Sequence, residues 1–270
     1  MSGASADLRW VEADWPAPGG VRALSTCRTG GVSAAGYASL NLGDHVGDVA
    51  ADVAENRRRL KAAAGLPAEP AWLEQVHGSR VVDLDAAADL IAARVAFGAD
   101  RRRPAGFGPA DAAFTRATGR VCAILSADCL PVLLTADSGD LAAAAHAGWR
   151  GLSAGVIEAT VQALEIKPAR LMAWLGPAIS VKHFEVGAEV REALLKDDPG
   201  AEAAFAPNPR GRFMADLSVL ARRRLEALGV SRIYGGGQCT HADGDRYFSH
   251  RRDGVTGRQA TLIWLEPRPG

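Results

Sequence analysis

Short apolar runs bounded by Gly, Asp or Pro most limit what this chain can fold into. The central runs cover residues 72–82, 121–126, 131–135 and 140–145. Such runs are typical of strands with both faces buried, because an exposed face would bring polar residues in alternation. The sequence therefore predicts a sheet inside the molecule, although the alanine-rich runs are also compatible with a helix.

Helical periods of apolar residues occur between and after these runs. They predict four helices, over residues 49–64, 152–164, 186–195 and 216–228. Three later apolar runs predict strands over residues 171–175, 231–234 and 259–265. No Pro/Ser-rich linker divides the chain, so we expect residues 1–270 to form one domain. The fold class is mixed α and β, and the pattern alone leaves the sheet topology open.

Charge and cysteine content exclude several classes of function. The 31 Lys and Arg residues balance 31 Asp and Glu residues, so no net charge attracts nucleic acid or an acidic membrane. No apolar stretch has the length of a membrane span or a secretory signal. The four cysteines lie far apart and form no CxxC pair, which indicates a reducing compartment. We therefore expect a cytoplasmic protein without nucleic-acid or membrane partners.

Two histidines and one cysteine, His77, Cys129 and His146, lie in turn-like segments at the ends of apolar runs. Two imidazoles and one thiolate are the ligands expected of a catalytic zinc, whose fourth position stays open. The three residues come from separate segments, so their spacing alone does not establish a metal site. A buried cysteine is also a common small hydrophobe, and a lone histidine is commonly hydrogen-bonded in a core. Both interpretations remain open at this point.

Two polar segments have features of anion-binding sites. The Gly-punctuated loop over residues 41–48 leads into the helix that carries Arg57, where exposed backbone N–H groups can hold an anion or simply cap the helix. Residues 248–259 place Arg251, Arg252 and Arg258 in turns, and guanidinium groups suit phosphate or carboxylate. Either signal is weak when taken alone.

Seven short motifs in a fixed order carry a family resemblance. They are residues 41–43 (NLG), 55–57 (ENR), 75–78 (QVHG), 127–132 (ADCLPV), 145–151 (AHAGWRG), 184–187 (FEVG) and 248–259. The series closely resembles the laccase-domain, or YfiH-like, purine nucleoside phosphorylase family, which was first labelled multicopper polyphenol oxidase. The likeness runs from about residue 26 to residue 265.

The resemblance implies a fold, a metal and a reaction. The implied fold is a single α/β/β/α sandwich similar to that of bacterial toxin-type cysteine hydrolases. His77, Cys129 and His146 would bind one zinc ion. Adenosine, inosine, guanosine and methylthioadenosine would be cleaved with phosphate, and adenosine would also be deaminated. Purine nucleosides and phosphate are then the expected small-molecule partners.

Further site residues follow from the matching motifs as hypotheses. Cys129 and His77 are expected to be catalytic, and Asp128 is our hypothesis for the proton shuttle because it adjoins a ligand; a turn or supporting role for Asp128 stays open. Phosphorolysis needs groups that orient phosphate and stabilise the departing purine. The predicted substrate-binding residues are Asn41, Arg57, Arg150 and Arg251.

Two other enzymatic functions compete with this prediction. Cys129 as a thiolate nucleophile, with His77 or His146 as base, would give a hydrolase that edits cell-wall precursors. A multicopper oxidase needs roughly ten His ligands with Cys and Met. The chain has six His and three Met, which argues against an oxidase, although one adventitious copper ion can occupy the His/Cys site. A binding protein without catalysis fits the many polar motif residues poorly.

Overall fold

The computed structural model describes residues 8–87 and 107–267. The helices are α1 (Ala50–Ala63), α2 (Trp149–Ser153), α3 (Val156–Ala163), α4 (Ala188–Leu195), α5 (Leu217–Ala227) and α6 (His250–Asp253). The strands are β1 (Trp10–Glu12), β2 (Val21–Thr26), β3 (Val81–Asp83), β4 (Ala112–Thr115), β5 (Val121–Ser126), β6 (Leu130–Ala136), β7 (Ala142–Ala147), β8 (Leu171–Leu175), β9 (Glu185–Val186), β10 (Phe205–Pro207), β11 (Phe213–Ala215), β12 (Arg232–Gly235) and β13 (Gln259–Leu265).

Two sheets form the centre of the molecule. The larger sheet has six strands in the order β12-β8-β6-β7-β4-β3, with parallel pairs at its two edges and antiparallel pairs between them. The smaller sheet has the order β1-β2-β13-β5 and is antiparallel throughout. Ile124 and Ile263 of the smaller sheet pack with Leu133, Ala144 and Trp174 of the larger one. The two sheets therefore lie face to face.

Helices cover both outer faces of this pair of sheets. Leu60 of α1 packs on the outer face of the smaller sheet with Leu125 and Leu262. Helices α2 to α5 cover the outer face of the larger sheet, where Val132 and Leu134 are buried. The layers are thus α/β/β/α, which confirms the predicted sandwich. Every residue of β5, β6, β7, β8 and β13 is buried, because each of these strands has a packed layer on both sides.

Several predicted elements match the structure closely. Strands β5, β8 and β13 have the predicted bounds, and β6, β7 and β12 differ from prediction by at most two residues at an end. Helix α1 lies within its predicted range, and α5 begins after Asp216, whose carboxylate accepts hydrogen bonds from the amides of Ser218 and Val219. Among the residues that the structure describes, no helix is long and apolar enough to cross a membrane.

Other predictions are wrong in ways that have local causes. The strand predicted over residues 72–82 is replaced by isolated bridges at Ala71 and Glu74 and by β3. The amides of residues 76–78 bind the side chain of Asp111 instead of a neighbouring strand. The single helix predicted over residues 152–164 is two helices, α2 and α3, separated at Gly155, which has a φ of +80°.

Short strands account for most of the elements that the sequence did not predict. Strands β1, β2 and β4 lie in Ala-rich or mixed segments without a clear period. Strands β10, β11 and β9 form a separate three-stranded sheet. Residues 185–186 belong to that sheet, so α4 starts only after Gly187 and not at residue 186 as predicted. Two- and three-residue strands are set by their partners and leave no periodic signal.

The contact between the two sheets makes a direct prediction about stability. Ile124 is fully buried there, so Ile124→Ala should lower the free energy of unfolding by about 3 kcal/mol through lost packing and a residual cavity. Val255→Ala is the control, because Val255 is 66% exposed, and it should change stability by less than about 0.5 kcal/mol. Urea unfolding measures both. Equal effects of the two substitutions would contradict this packing.

Candidate metal centre

Three potential metal ligands meet at one end of the sandwich. A ligand atom from each of His77, Cys129 and His146 lies within 4.8 Å of the other two. The Sγ atom of Cys129 is 3.9 Å from Nε2 of His77, and the two imidazole rings are 4.8 Å apart between centroids. His146 is buried, Cys129 is half-buried and His77 is exposed. The cluster therefore has a closed side and a side open to solvent.

Adjacent strands of the larger sheet supply two of the three ligands. Cys129 directly precedes β6, and His146 is the next-to-last residue of β7. These strands pair so that Leu130 lies opposite Ala147 and Pro131 opposite His146. Backbone pairing thus sets the distance between the thiol and the imidazole before any metal binds.

His77 reaches the other two ligands from a tight turn. Gln75 fixes the segment by two hydrogen bonds to Leu125 at the end of β5: its Nε2 donates to the carbonyl and its Oε1 accepts from the amide, both at 2.8 Å. His77 itself has a φ of +62°, a left-handed conformation that is unfavourable for a residue with a Cβ. Such strain is commonly retained at functional sites.

The buried carboxylate of Asp111 binds the ring of His146 and the backbone of the turn that carries His77. Its Oδ1 lies 2.9 Å from Nδ1 of His146 and accepts from the His77 amide at 2.9 Å. Its Oδ2 accepts from the amides of Val76 and Gly78 at 3.2 and 2.7 Å. Because Nδ1 of His146 is engaged, its Nε2 is the nitrogen left for a metal. A carboxylate behind a ligating histidine is a common feature of zinc sites.

The charges of the cluster favour the thiolate of Cys129 and act on its neighbour His146 as well. Burial lowers the pKa of His146, but the Cys129 thiolate and the Asp111 carboxylate raise it to about 9, so this imidazole must release a proton when it binds a metal. Burial raises the pKa of the Cys129 thiol, but His146 and His77 lower this pKa by a larger amount, so the net shift is downward. Burial also raises the pKa of Asp111, and hydrogen bonds from His146 and from the amides of Gly78 and His77 outweigh that effect. The cluster thus stabilises a thiolate and a carboxylate. A thiolate is the form of cysteine that ligates metals.

Close approach of the backbone at Gly148 shapes the cluster. A Cβ at this position would lie 2.7 Å from Sγ of Cys129 and 3.4 Å from Cδ2 of His77. The φ and ψ of Gly148, −67° and 166°, are open to any residue, so space and not backbone conformation requires glycine here.

Tetrahedral zinc with one sulfur and two nitrogen ligands needs ligand atoms roughly 3.3–3.8 Å apart. The donor types suit a metal ion with three protein ligands and one open position, and the 3.9 Å between Cys129 Sγ and His77 Nε2 lies slightly above the zinc range.

Asp128 connects the turn between β5 and β6 to the loop at Thr240 and to helix α6. Its Oδ1 accepts from the Thr240 hydroxyl and its Oδ2 from the Arg251 amide, both at 2.7 Å. Its own carbonyl accepts from the Ile179 amide at 2.9 Å, and its φ is +98°. Both carboxylate oxygens are therefore engaged within the protein. The predicted proton-shuttle role of Asp128 stays a hypothesis.

Asn41 and Arg57, two of the predicted substrate-binding residues, have internal hydrogen bonds. The buried Asn41 amide donates to the Gly43 carbonyl and to Asp48, and its oxygen accepts from the amides of Gly43 and Arg258. Arg57 donates from Nε and Nη2 to the Leu42 carbonyl, and its guanidinium lies 4.4 Å from the ring centroid of Trp72. Both side chains hold the loop over residues 41–48.

The other two predicted substrate-binding arginines are exposed. Arg150 lies at the start of α2, with its guanidinium 4.4 Å from the ring centroid of Trp149. Arg251 donates from Nη1 to the Glu185 carbonyl and lies over Phe184. Its backbone amide is the one that binds Asp128. The predicted substrate roles of all four residues remain predictions.

Asp111 is the site residue that the sequence analysis missed. It follows a proline and an alanine and directly precedes β4, an alanine-rich strand that was not predicted. An acidic side chain at the start of an otherwise apolar run was the available signal. Its 0% exposure shows that this acid is internal.

Comparison with known proteins identifies relatives along nearly the whole chain. Residues 22–266 match the family described as multi-copper polyphenol oxidoreductase laccase. Purine nucleoside phosphorylase YfiH of Escherichia coli is 48% identical over 93% of this chain and 96% of its own length. A purine nucleoside phosphorylase of Pseudomonas aeruginosa is 49% identical over 95% of this chain and 98% of its own.

Solved structures show the same fold. A Neisseria meningitidis protein superposes with a TM-score of 0.84 at 45% identity, covering 96% of this chain and 99% of that one. YlmD from Geobacillus stearothermophilus gives a TM-score of 0.86 at 31% identity, covering 99% and 98% of the two chains. The α/β/β/α sandwich is therefore shared with these proteins.

Space at Gly148 provides a test of the metal centre. Gly148→Ala should weaken zinc binding by at least about tenfold, because the new Cβ would displace the Cys129 sulfur. Gly237→Ala is the matched control, since a Cβ there meets nothing within 4 Å. Competition with a chromophoric chelator measures the affinity of each variant. Wild-type zinc affinity in Gly148→Ala would contradict the assignment of Cys129 and His77 as ligands.

Proposed function

The chain belongs to the family described as multi-copper polyphenol oxidoreductase laccase, and on that premise we propose that it is a zinc-dependent purine nucleoside phosphorylase. The observation that carries the proposal is the three-donor cluster of His77, Cys129 and His146, with one side open to solvent. The relatives named purine nucleoside phosphorylase support the same reaction. The products would be the free base and ribose 1-phosphate.

The ligand inventory argues against the oxidase that the family description suggests. Blue and trinuclear copper centres together use roughly ten histidines. This chain has six histidines, and among the described residues the cluster of His77, Cys129 and His146 is the one group that could hold a metal ion. A single copper ion in this site would lack the neighbouring copper ions that reduce oxygen.

Zinc is the metal that we propose for this cluster, because tetrahedral N/S coordination with an open position is typical of catalytic zinc. When bound, zinc supplies Lewis acidity and lowers the pKa of a water molecule toward ~7. His77, Cys129 and His146 would hold it, and Asp111 would orient the imidazole of His146 and fix the backbone turn that carries His77. The exposed face beside His77 would admit the nucleoside.

The chain's own residues would perform the remaining tasks. Phosphorolysis needs a held phosphate, an oriented ribose and a proton for the departing purine. We propose Asp128 as the group that manages this proton, which requires release of one of its two hydrogen bonds. Arg57, Arg150 and Arg251, with Asn41, remain the proposed substrate-binding residues.

We also propose adenosine deamination as a second activity, with inosine, guanosine and methylthioadenosine as further phosphorolysis substrates in the cytoplasm. An open metal position beside an exposed ligand is suited to water attack on a purine ring. The 3.9 Å approach of Cys129 Sγ to His77 Nε2 supports a second candidate, a Cys–His hydrolase. In that candidate the thiolate would attack an amide or ester carbonyl directly.

Product analysis with adenosine tests the proposal. Zinc-loaded protein should release adenine only when phosphate is present, and inosine also without phosphate. Cys129→Ala should lower both rates by at least about a hundredfold, because the loss of one zinc ligand impairs a site that serves both reactions. Chromatography of adenine, inosine and hypoxanthine measures them.

Arg22→Gln is the control, since the Arg22 side chain is 49% exposed and lies opposite Trp264, at the end of β13 away from Gln259. It should leave both rates unchanged. Adenosine that stays intact under all conditions would contradict the proposal and favour the hydrolase. Loss of one activity alone in Cys129→Ala would contradict a shared metal site.

A further inference from the structure

Arg258 lies beside the metal centre because of strand pairing. β13 begins at the next residue, and Gln259 pairs with Ser126 at the end of β5. Arg258 directly precedes this pair and Ala127 directly follows it, so the two segments leave the sheet side by side, and Cys129 lies two residues beyond Ala127. The ends of β5 and β13 therefore bring Arg258 and the segment of Cys129 to the same end of the smaller sheet.

The loop over residues 41–43 holds the backbone and the stem of Arg258. The Arg258 amide donates to Oδ1 of Asn41 at 2.9 Å, and the Leu42 amide donates to the Arg258 carbonyl at 3.1 Å. A Cβ on Gly43 would lie 2.8 Å from Cγ of Arg258, so the loop backbone packs directly on the arginine stem. The position of the side chain is thus set before any ligand arrives.

The guanidinium of Arg258 is only partly engaged. Its Nη1 donates to the carbonyls of Thr256 and Gly257, each at 3.0 Å. Within residues 8–87 and 107–267, Nε and Nη2 have no hydrogen-bond partner and no Asp or Glu forms an ion pair with this arginine. The side chain is half-buried, and neither nitrogen is sealed from solvent. A partly buried guanidinium with an unused edge suits an anionic ligand.

Electrostatics agree with this placement. Burial lowers the pKa of Arg258, and the Cys129 thiolate and Asp128 carboxylate act in the opposite direction. The guanidinium thus lies in the field of the cluster. By contrast, Arg57 uses Nε and Nη2 on the Leu42 carbonyl, so its corresponding edge is already occupied.

We propose that Arg258 is the phosphate-binding residue of the metal centre and that it presents Nε and Nη2 to two phosphate oxygens. The proposal rests on the proposed function for its reaction. A third phosphate oxygen forms a bond to C1′ of the ribose while the bond from C1′ to N9 breaks. The electron pair of that bond leaves with the purine, which then takes up a proton. Arg258 holds the phosphate throughout and neither gains nor loses a proton.

Phosphate-dependent thermal unfolding and steady-state kinetics test this role together. The proteins are zinc-loaded wild type, Arg258→Gln, Arg258→Lys and the charge-matched surface control Arg22→Gln. Inorganic phosphate should raise the melting temperature of the wild type and the control equally, and that of Arg258→Gln less or not at all. The KM for phosphate should rise at least about tenfold in Arg258→Gln, with the KM for adenosine nearly unchanged.

Arg258→Lys separates charge from geometry and guards against misfolding. Lysine keeps the positive charge but loses the two-pronged donor, so the KM for phosphate should fall between those of the wild type and Arg258→Gln. Melting temperatures without phosphate report whether each variant is folded. If Arg258→Gln does not fold, a raised phosphate KM in Arg258→Lys supports the proposal and a wild-type KM contradicts it.

Failure of this inference differs from failure of the proposed function. Wild-type phosphate KM and wild-type thermal response in folded Arg258→Gln would overturn the role of Arg258 while leaving phosphorolysis in place. If the wild type does not cleave adenosine, the proposed phosphorolysis is contradicted. The thermal response to phosphate then still tests whether Arg258 binds phosphate. A response that depends on Arg258 supports the anion site, and a wild type without any response overturns it.

Discussion

The geometry of the candidate metal centre depends on one buried carboxylate, that of Asp111. It receives hydrogen bonds from the His146 ring and from three successive amides that include His77. The Asp111 carbonyl also accepts from the His146 amide at 2.7 Å, so backbone and side chain act on the same ligand. A buried carboxylate without these donors would be costly. The turn of His77 and the orientation of His146 therefore depend on each other through Asp111.

The sandwich provides the rigid frame that this arrangement needs. Cys129 and His146 stand at the ends of two paired strands buried on both faces, where neither backbone can shift without disturbing two packed layers. Gly148 lets the start of α2 approach the sulfur, and Asp128 anchors the loop at Thr240 and the helix α6. Precise ligand spacing thus follows from the central sheets, while solvent access comes from the exposed turn at His77.

The sequence predicted the buried strands and the ligand types because both are local properties. Uninterrupted apolar runs identified β5, β8 and β13, and soft donors in turn-like segments marked His77, Cys129 and His146 as candidate ligands. The function of Asp111 is not local, since it depends on residues more than 30 positions away. The free edge of Arg258 is likewise visible only once the loop at Asn41 is in place. Paired short strands escaped prediction for the same reason.

Zinc affinity of Asp111→Asn tests the central claim most directly. The amide keeps the shape of the side chain but cannot accept all four hydrogen bonds, so both histidines lose their common support. We expect one zinc ion per wild-type chain and an affinity lower by roughly 10–100-fold in folded Asp111→Asn. Asp140→Asn, at an exposed position, should bind zinc as the wild type does. Wild-type zinc affinity in Asp111→Asn would contradict the account.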